Sequence, residues 1–175
     1  MEPSGVDPLI AGLVGGDDRA YQALYDRFGE RLYRTALGIV RRREDAEDIV
    51  QEVFMSVLRS RQRISGVRDM TAYLFTALRR AAGRSAARGI ALAQTEIVEA
   101  PATDPQRGGT SPCSERLERA LQALPAEQRE VITLKIDGEL TFAQVAQVME
   151  VSINTAASRY RYALDRLRAI LEASR

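Results

Sequence analysis

Apolar residues in the first half of the chain recur every three or four positions, which is the spacing of one face of an α-helix. A short apolar stretch stops at two glycines, and a long stripe follows Asp17 and Asp18, either of which can cap a helix. Two further stripes predict helices over about 44–61 and about 69–88, with a break at Ser65. The first half is therefore predicted to be a bundle of helices.

The second half shows the same spacing in shorter pieces. It predicts a helix that ends at Pro125, a second over 127–136, a third over 141–149 capped by Thr141, and a last helix over about 153–172. The inward positions of the last helix are predicted to be Ala156, Tyr160, Ala163, Leu164, Leu167, Ile170 and Leu171. No stretch alternates with period two for long, so no sheet is expected.

Residues 89–112 separate the two halves and differ from both in composition. They combine prolines and a glycine pair with Thr, Ser and Asp, which is typical of a linker. A linker of this length between two helical blocks favours two domains over one. We therefore expect an all-α protein in which two small helical domains, 1–88 and 113–175, are joined by a flexible linker.

The absence of histidine excludes several kinds of catalytic and metal-binding site. The chain has no His and a single cysteine, Cys113, which excludes histidine zinc sites, Ser-His-Asp triads, Cys-His dyads and internal disulfides. Asp45 and Glu52 could ligate a metal only with partner carboxylates that no second helix supplies. We therefore expect no metal, no cofactor and no enzymatic activity. With no run of 18 apolar residues and no signal peptide, we expect a cytoplasmic protein that does not insert into a membrane.

Arginine is concentrated in one block. Residues 59–88 hold eight arginines and one acidic residue, although the whole chain has a net charge of +1. Arg80, Arg84 and Arg88 fall at i, i+4 and i+8, on one stripe of the predicted helix. Arginine suits bidentate contacts to phosphate and guanine, so this block is a candidate nucleic-acid surface. Lys135 is the only lysine, and a GC-rich genome is an equally good explanation for the choice of Arg over Lys.

Two short helices, a tight turn and a longer basic helix at the end of the chain are typical of a helix-turn-helix. The last helix begins with small polar residues that let its backbone approach a major groove, followed by guanidinium groups: Ser152, Asn154, Thr155, Ser158, Arg159 and Arg161. Glu150 stands in the turn, where a non-glycine residue in the left-handed conformation costs roughly 1 kcal/mol. A plain helical hairpin with a solvated arginine face is the alternative at this point.

Three stretches resemble the extracytoplasmic-function (ECF) sigma factors of bacteria. Residues 45–54, DAEDIVQEVF, resemble the second-region helix of that family, and residues 124–131 and 154–164 resemble its fourth region. The resemblance covers about 7–88 and 113–172. It implies a factor that binds core RNA polymerase, recognises −10 and −35 promoter DNA and promotes transcription initiation.

The resemblance also implies three sets of site residues. An acidic face of the second-region helix would dock on the clamp helices of the polymerase β′ subunit: Asp45, Asp48, Gln51 and Glu52. The next helix and the loop before it would melt and hold the −10 element through Arg61, Arg63, Arg68, Tyr73, Arg80, Arg84 and Arg88. The last helix would read the −35 element with the six polar residues given above.

The candidate −10 helix departs from the family pattern at three positions. Tyr73 stands where Trp is usual, and Arg80 and Arg84 stand where Asn and Asp are usual. Asn and Asp can read a base edge, whereas Arg favours phosphate, so we expect these two arginines to contact the DNA backbone. Tyr73 and Phe75 are candidate rings for stacking on unpaired bases, with core packing as the alternative for Tyr73.

Two further partners follow from the resemblance alone. The polymerase β flap is expected to contact the fourth region, and an anti-sigma protein is expected to bind apolar surface between the two domains. One rival function stays open at this point: a helix-turn-helix regulator that never engages polymerase and uses its N-terminal block as a ligand or dimer domain. The acidic helix 45–54 discriminates the two, because reversing its charge would disable only a sigma factor.

Overall fold

A computed structural model describes residues 7–95 and 112–173, with side chains described for 7–87 and 115–173. Within these ranges every regular element is a helix, which confirms the all-α prediction. The helices are α1 (Pro8–Gly15), α2 (Asp18–Val40), α3 (Arg43–Arg59), α4 (Arg61–Ile64), α5 (Met70–Thr95), α6 (Pro112–Gln122), α7 (Ala126–Ile136), α8 (Phe142–Met149) and α9 (Ile153–Ala173).

Helices α1–α5 form the N-terminal block. Asp17 caps α2 by accepting a hydrogen bond from the Arg19 backbone N–H at 2.9 Å. The predicted stripe of α2 is buried at Leu24, Phe28 and Leu32, against the apolar faces of α3 and α5. Helix α5 continues to Thr95, seven residues beyond the predicted end at 88, and the rest of the predicted linker, apart from Pro112, lies outside the described residues.

Helices α6–α9 form the C-terminal block. Thr141 caps α8 in a reciprocal capping box with Gln144, as its position predicted. The Ser152 hydroxyl accepts a hydrogen bond from the Thr155 backbone N–H at 3.0 Å and so caps α9. Leu164 was expected to face inward, but it is 37% exposed because it lies on an open groove beside α2 rather than in the core.

Among the described residues, three that are not glycine have a positive φ. They are Arg41 at 67°, Glu139 at 54° and Glu150 at 57°. Glu150 ends α8 in the left-handed conformation that the sequence predicted. A side chain in this conformation costs roughly 1–2 kcal/mol relative to an unstrained residue. These three turns therefore store backbone strain that a glycine would relieve.

The two helical blocks pack directly on each other, α2 against α7 and α5 against α8. At Gly38 the helices approach so closely that a Cβ atom would lie 2.7 Å from Thr133 Cγ2. At Gly138 a Cβ atom would lie 2.9 Å from Phe75 Cε1. The buried side chains of both blocks therefore form one continuous core.

Candidate nucleic-acid interface

A basic groove of about 910 Å³ runs between α3, α5 and the segment that joins them. Its charged lining consists of four arginines and two carboxylates: Arg63, Arg68, Arg80, Arg84, Glu52 and Asp69. The excess of positive charge suits a polyanion. The half-buried ring of Tyr73 also lines the groove, where it can stack on a base.

Arg80 and Arg84 lie next to each other on the face of α5 that lines the groove, because residues four apart share a helix face. Both guanidinium groups already have an acidic partner. Arg84 lies 2.5 Å from a carboxylate oxygen of Glu52, and Arg80 lies 3.5 Å from one of Glu150 on the other helical block. A phosphate group entering the groove must therefore compete with two carboxylates.

Two arginines of the expected −10 set, and the candidate stacking ring of Phe75, lie outside the described lining of the groove. The Arg61 guanidinium lies 5.8 Å from the centre of the Tyr21 ring and beside Gly16, away from the groove lining. The side chain of Arg88 lies outside the described residues. Phe75 is fully buried in the core, so the prediction that its ring stacks on a base is wrong for this arrangement.

The first turns of α9 carry the expected −35 residues. The hydroxyls of Ser152 and Thr155 lie 2.8 Å apart, and the Ser152 hydroxyl also caps the helix, whereas Asn154 is exposed. Arg159 pairs with Glu127 of α7 at 2.9 Å. Arg161 is exposed over the ring of Tyr162, 5.4 Å from its centre. The sixth residue, Ser158, is half-buried on the same helix.

Two exposed apolar residues on α9 were missed by the sequence analysis. Ile153 is 53% exposed in the first turn, and Tyr162 is 58% exposed two turns later. Both fall on polar positions of the helical pattern, and this mismatch is the signal that could have identified them. Apolar side chains at such positions can contact thymine methyl groups.

The acidic face expected on α3 is divided between two surfaces. Asp45 pairs with Arg42 at 3.8 Å and Asp48 is exposed, but Glu52 turns into the basic groove. Gln51 faces the other way, towards α2, where it joins a patch of exposed or half-buried apolar side chains. We call this the α2/α3 patch, and it comprises Tyr25, Tyr33, Val50, Gln51, Phe54 and Met55 with Asp26, Glu30 and Glu47 at its rim.

The α2/α3 patch is a feature that the sequence analysis did not single out. The rings of Tyr25 and Phe54 lie 5.2 Å apart, and Tyr25 is 57% exposed although it falls on the apolar stripe of α2. Exposed aromatic rings surrounded by polar groups are typical of protein–protein contact sites.

A second groove lies between the blocks, along α2, α6, α7 and α9, with a volume of about 480 Å³. Leu117 and Ile136 line it with 42% and 54% of their surfaces exposed. Arg129 is half-buried at its rim, and burial together with the positive charge of Arg41 lowers the pKa of Arg129. This groove therefore combines apolar walls with two arginines that repel each other.

No group of three or more His, Cys, Asp or Glu residues in the described parts of the chain could hold a metal ion. None of the helices described for 7–95 and 112–173 is long and apolar enough to cross a membrane.

The chain matches two protein families, Sigma-70 region 2 over residues 24–89 and Sigma-70, region 4 over residues 114–167. It is 31% identical over 185 residues to the ECF RNA polymerase sigma factor SigE of Mycolicibacterium smegmatis, covering 98% of this chain and 70% of that protein. It is 27% identical over 179 residues to the ECF RNA polymerase sigma factor SigK of Mycobacterium tuberculosis H37Rv, covering 98% and 96%.

Two solved structures share the fold. CnrH in complex with the cytosolic domain of CnrY has a TM-score of 0.70 and 24% identity, over 95% of this chain and 97% of that one. The sigma factor RpoE in complex with the anti-sigma factor NepR from Bartonella quintana has a TM-score of 0.71 and 24% identity, over 90% and 99%.

The two matched regions coincide with the basic groove on α3–α5 and with the helix-turn-helix of α7–α9. Their order along the chain, and the relatives that match nearly its whole length, favour a sigma factor over the alternative of a separate helix-turn-helix regulator. The chain therefore belongs to the extracytoplasmic-function sigma factors of bacterial RNA polymerase.

Proposed function

We propose that the protein binds core RNA polymerase in the cytoplasm and directs it to promoters through two DNA contacts. The observation that carries this proposal is the presence of a basic groove and a helix-turn-helix in one chain of this family. We assign the polymerase and −10 contacts to residues 1–88 and the −35 contact to 113–175, with 89–112, whose first residues continue α5, as the connection between them. Tethering two modest contacts raises their combined affinity through effective concentration.

We assign polymerase docking to the exposed part of α3 and to the α2/α3 patch. Asp48 and Gln51 supply polar contacts, and the exposed ring of Tyr25 with the half-buried ring of Phe54 supplies apolar area beside Gln51. Aromatic anchors surrounded by polar groups dominate the binding energy of many protein interfaces. The acidic rim suits a basic partner surface such as the β′ clamp helices.

The basic groove is the proposed −10 site. Arg80 and Arg84 contact phosphates of the melted strand, because guanidinium groups on a helix face suit a nucleic-acid backbone. Tyr73 stacks on a base, and Arg63 and Arg68 hold the strand from the segment before α5. Base-specific readout by this helix is thereby reduced relative to the family pattern, and non-specific affinity is raised.

The first turns of α9 are the proposed −35 reader. Asn154 and Arg161 are exposed and free to reach base edges or phosphates. Arg159 first has to leave Glu127, and the hydroxyls of Ser152 and Thr155 serve the helix cap as well as DNA. The polymerase β flap is the protein partner that we propose for this block.

An anti-sigma protein is the proposed regulatory partner, since relatives of this fold are seen in complex with such proteins. The groove between the blocks is its proposed docking place. Its apolar walls suit an amphipathic helix, and the neighbouring charges of Arg41 and Arg129 at its rim favour an acidic segment.

Transcription in vitro tests the proposal directly. The purified protein is added to sigma-free bacterial core polymerase with a genomic promoter pool, and the 5′ ends of the transcripts are sequenced. Discrete start sites that share two upstream motifs support it. Absence of both start sites and core binding would leave a DNA-binding regulator instead. Asp48→Arg with Gln51→Arg is expected to abolish initiation, whereas Arg19→Glu on α2, outside the patch lining, should not.

A further inference from the structure

The first turn of α9 exposes an aliphatic side chain at a position that faces DNA in a helix-turn-helix. Ile153 is the first residue of α9 and is 53% exposed. A single exposed isoleucine is ordinary on a protein surface. The position of Ile153 is the informative point, because the N-terminal residues of the second helix of this motif contact base edges in the major groove.

The polar groups of this turn limit what it can recognise. The Ser152 hydroxyl lies 2.8 Å from the Thr155 hydroxyl and accepts a hydrogen bond from the Thr155 backbone N–H at 3.0 Å. Both hydroxyls therefore already take part in the cap of the helix. Asn154 is exposed between them, so the first turn offers a base pair one amide and one aliphatic side chain.

A second, smaller apolar residue extends this surface. Ala157 is half-buried four residues after Ile153, and Arg161 is exposed four residues after Ala157. Residues four apart share a helix face, so these three lie in one row that spans about 12 Å by helical rise. The row begins with two aliphatic side chains and ends with a guanidinium group.

The major groove offers one partner for aliphatic side chains. Thymine carries a C5-methyl group there, whereas the groove edges of the other three bases present hydrogen-bonding groups. An aliphatic side chain gains free energy when it and a methyl group exclude water from each other. The amide of Asn154 suits the N6 and N7 atoms of adenine. An A·T pair therefore offers both of the groups that the first turn of α9 can recognise.

We propose that Ile153, with Ala157 beside it, contacts the C5-methyl group of a thymine in the −35 element. The contact makes the element depend on at least one A·T pair at a fixed position. This inference rests on the −35 reader proposed above, and it adds to that reader a base contact made by a residue outside the expected polar set.

Tyr162 does not share the position of Ile153. It is 58% exposed, but it follows Ile153 by nine residues, which at 3.6 residues per turn places it on the opposite side of α9. Its ring therefore cannot lie against the same methyl group. Tyr162 is the matched control, since it is a second large apolar side chain exposed on the same helix.

The test uses the complex of the full-length protein with core polymerase, on promoters found by the start-site mapping described above. Each thymine of the −35 element, on either strand, is replaced in turn by deoxyuridine, which removes the methyl group and keeps every hydrogen-bonding group. Fluorescence anisotropy of the labelled promoter duplex measures the affinity. We expect deoxyuridine at one or two positions to weaken binding about fourfold, the factor that burial of one methyl-sized group supplies.

Three variants connect that loss to Ile153. Ile153→Ala is expected to bind the thymine duplex about fourfold more weakly and to lose no further affinity when deoxyuridine replaces the sensitive thymine. Ile153→Val keeps a branched aliphatic side chain and should retain most of the difference between thymine and deoxyuridine. Tyr162→Ala should retain the whole difference. Both side chains are more than half exposed, so the variants are expected to fold.

The outcomes separate the methyl contact from the function on which it rests. Promoter preference that deoxyuridine nowhere changes, or a −35 element made only of G·C pairs, would overturn the contact and leave the −35 reader in place. A thymine–deoxyuridine difference that persists in Ile153→Ala would also overturn it, because another residue would then contact the methyl group.

Two remaining outcomes concern the partner of Ile153. Unchanged promoter affinity together with reduced initiation in Ile153→Ala would make Ile153 a contact to protein and overturn the contact to DNA. Binding without any promoter preference would overturn the −35 reader and this inference with it.

Discussion

At the scale of single residues, each proposed DNA surface contains arginines that are paired with carboxylates of the same chain. Arg84 is paired with Glu52, and Arg159 with Glu127. A DNA phosphate gains less from an arginine that must first leave an acidic partner. The affinity of each surface is therefore set by these partners as well as by the arginines themselves.

Removing the partner of Arg84 should expose its charge to DNA. We expect Glu52→Gln to tighten binding to a random-sequence duplex by about two- to fivefold at low salt, as one exposed ion pair is lost. The slope of log affinity against log salt should steepen by about one, because one more phosphate is neutralised. Asp48→Asn removes the same charge from the same helix outside the groove, and an equal effect there would mean that net charge alone is responsible.

Arg159 should contribute to sequence recognition. We expect Arg159→Ala to weaken binding to the cognate −35 duplex by about 1–3 kcal/mol, as measured by titration against cognate and scrambled duplexes. An equal loss of affinity for both duplexes would show that Arg159 contacts only phosphate. Arg166→Ala, an exposed arginine nearer the end of the same helix, is the control and should change neither affinity appreciably.

At the scale of helices, the sequence predicted most of what local periodicity determines. The stripes of α2 and α3 are largely buried, with Tyr25 as an exposed exception, and Thr141 caps the helix that it was expected to cap. The sequence did not predict the burial of Phe75 or the turn of Glu52 into the groove. Both depend on which elements pack beside α3 and α5, and helical spacing within one segment does not encode that.

The cap of α8 should be worth a measurable part of the stability. Thr141→Ala removes the hydroxyl that accepts a hydrogen bond from the Gln144 backbone N–H, and we expect it to lower the free energy of unfolding by about 1 kcal/mol. Urea denaturation followed by circular dichroism measures the change. Ser56→Ala, on α3, where only the backbone carbonyl of Ser56 takes part in the C-cap, should cost nothing of this size, and an equal loss there would argue against the cap.

At the scale of the whole molecule, the packing of α2 on α7 depends on a glycine. Gly38 lets Thr133 approach its backbone, and the buried Thr133 side chain is β-branched and has little freedom to move away. The close approach of α2 to α7 is thus a property of one missing side chain. No pattern of apolar residues along the sequence indicates that.

Adding one methyl group at this point should separate the blocks. We expect Gly38→Ala to increase the radius of gyration in small-angle X-ray scattering, because the new Cβ would lie 2.7 Å from Thr133 Cγ2. Gly83→Ala is the matched control, since its Cβ would meet nothing within 4 Å while the gain in helix propensity is the same. A radius unchanged in Gly38→Ala would show that the interface absorbs the methyl group without parting.

The hydrogen bond of Lys135 has a practical consequence. The ammonium donates to the Leu140 carbonyl at 2.8 Å and lies 5.1 Å from the centre of the Phe142 ring, which ties down the turn that carries Glu139. It is also the only lysine of the chain. An amine-reactive reagent therefore has a single side-chain target. The rate of acylation of Lys135, measured by mass spectrometry, reports whether that turn is intact.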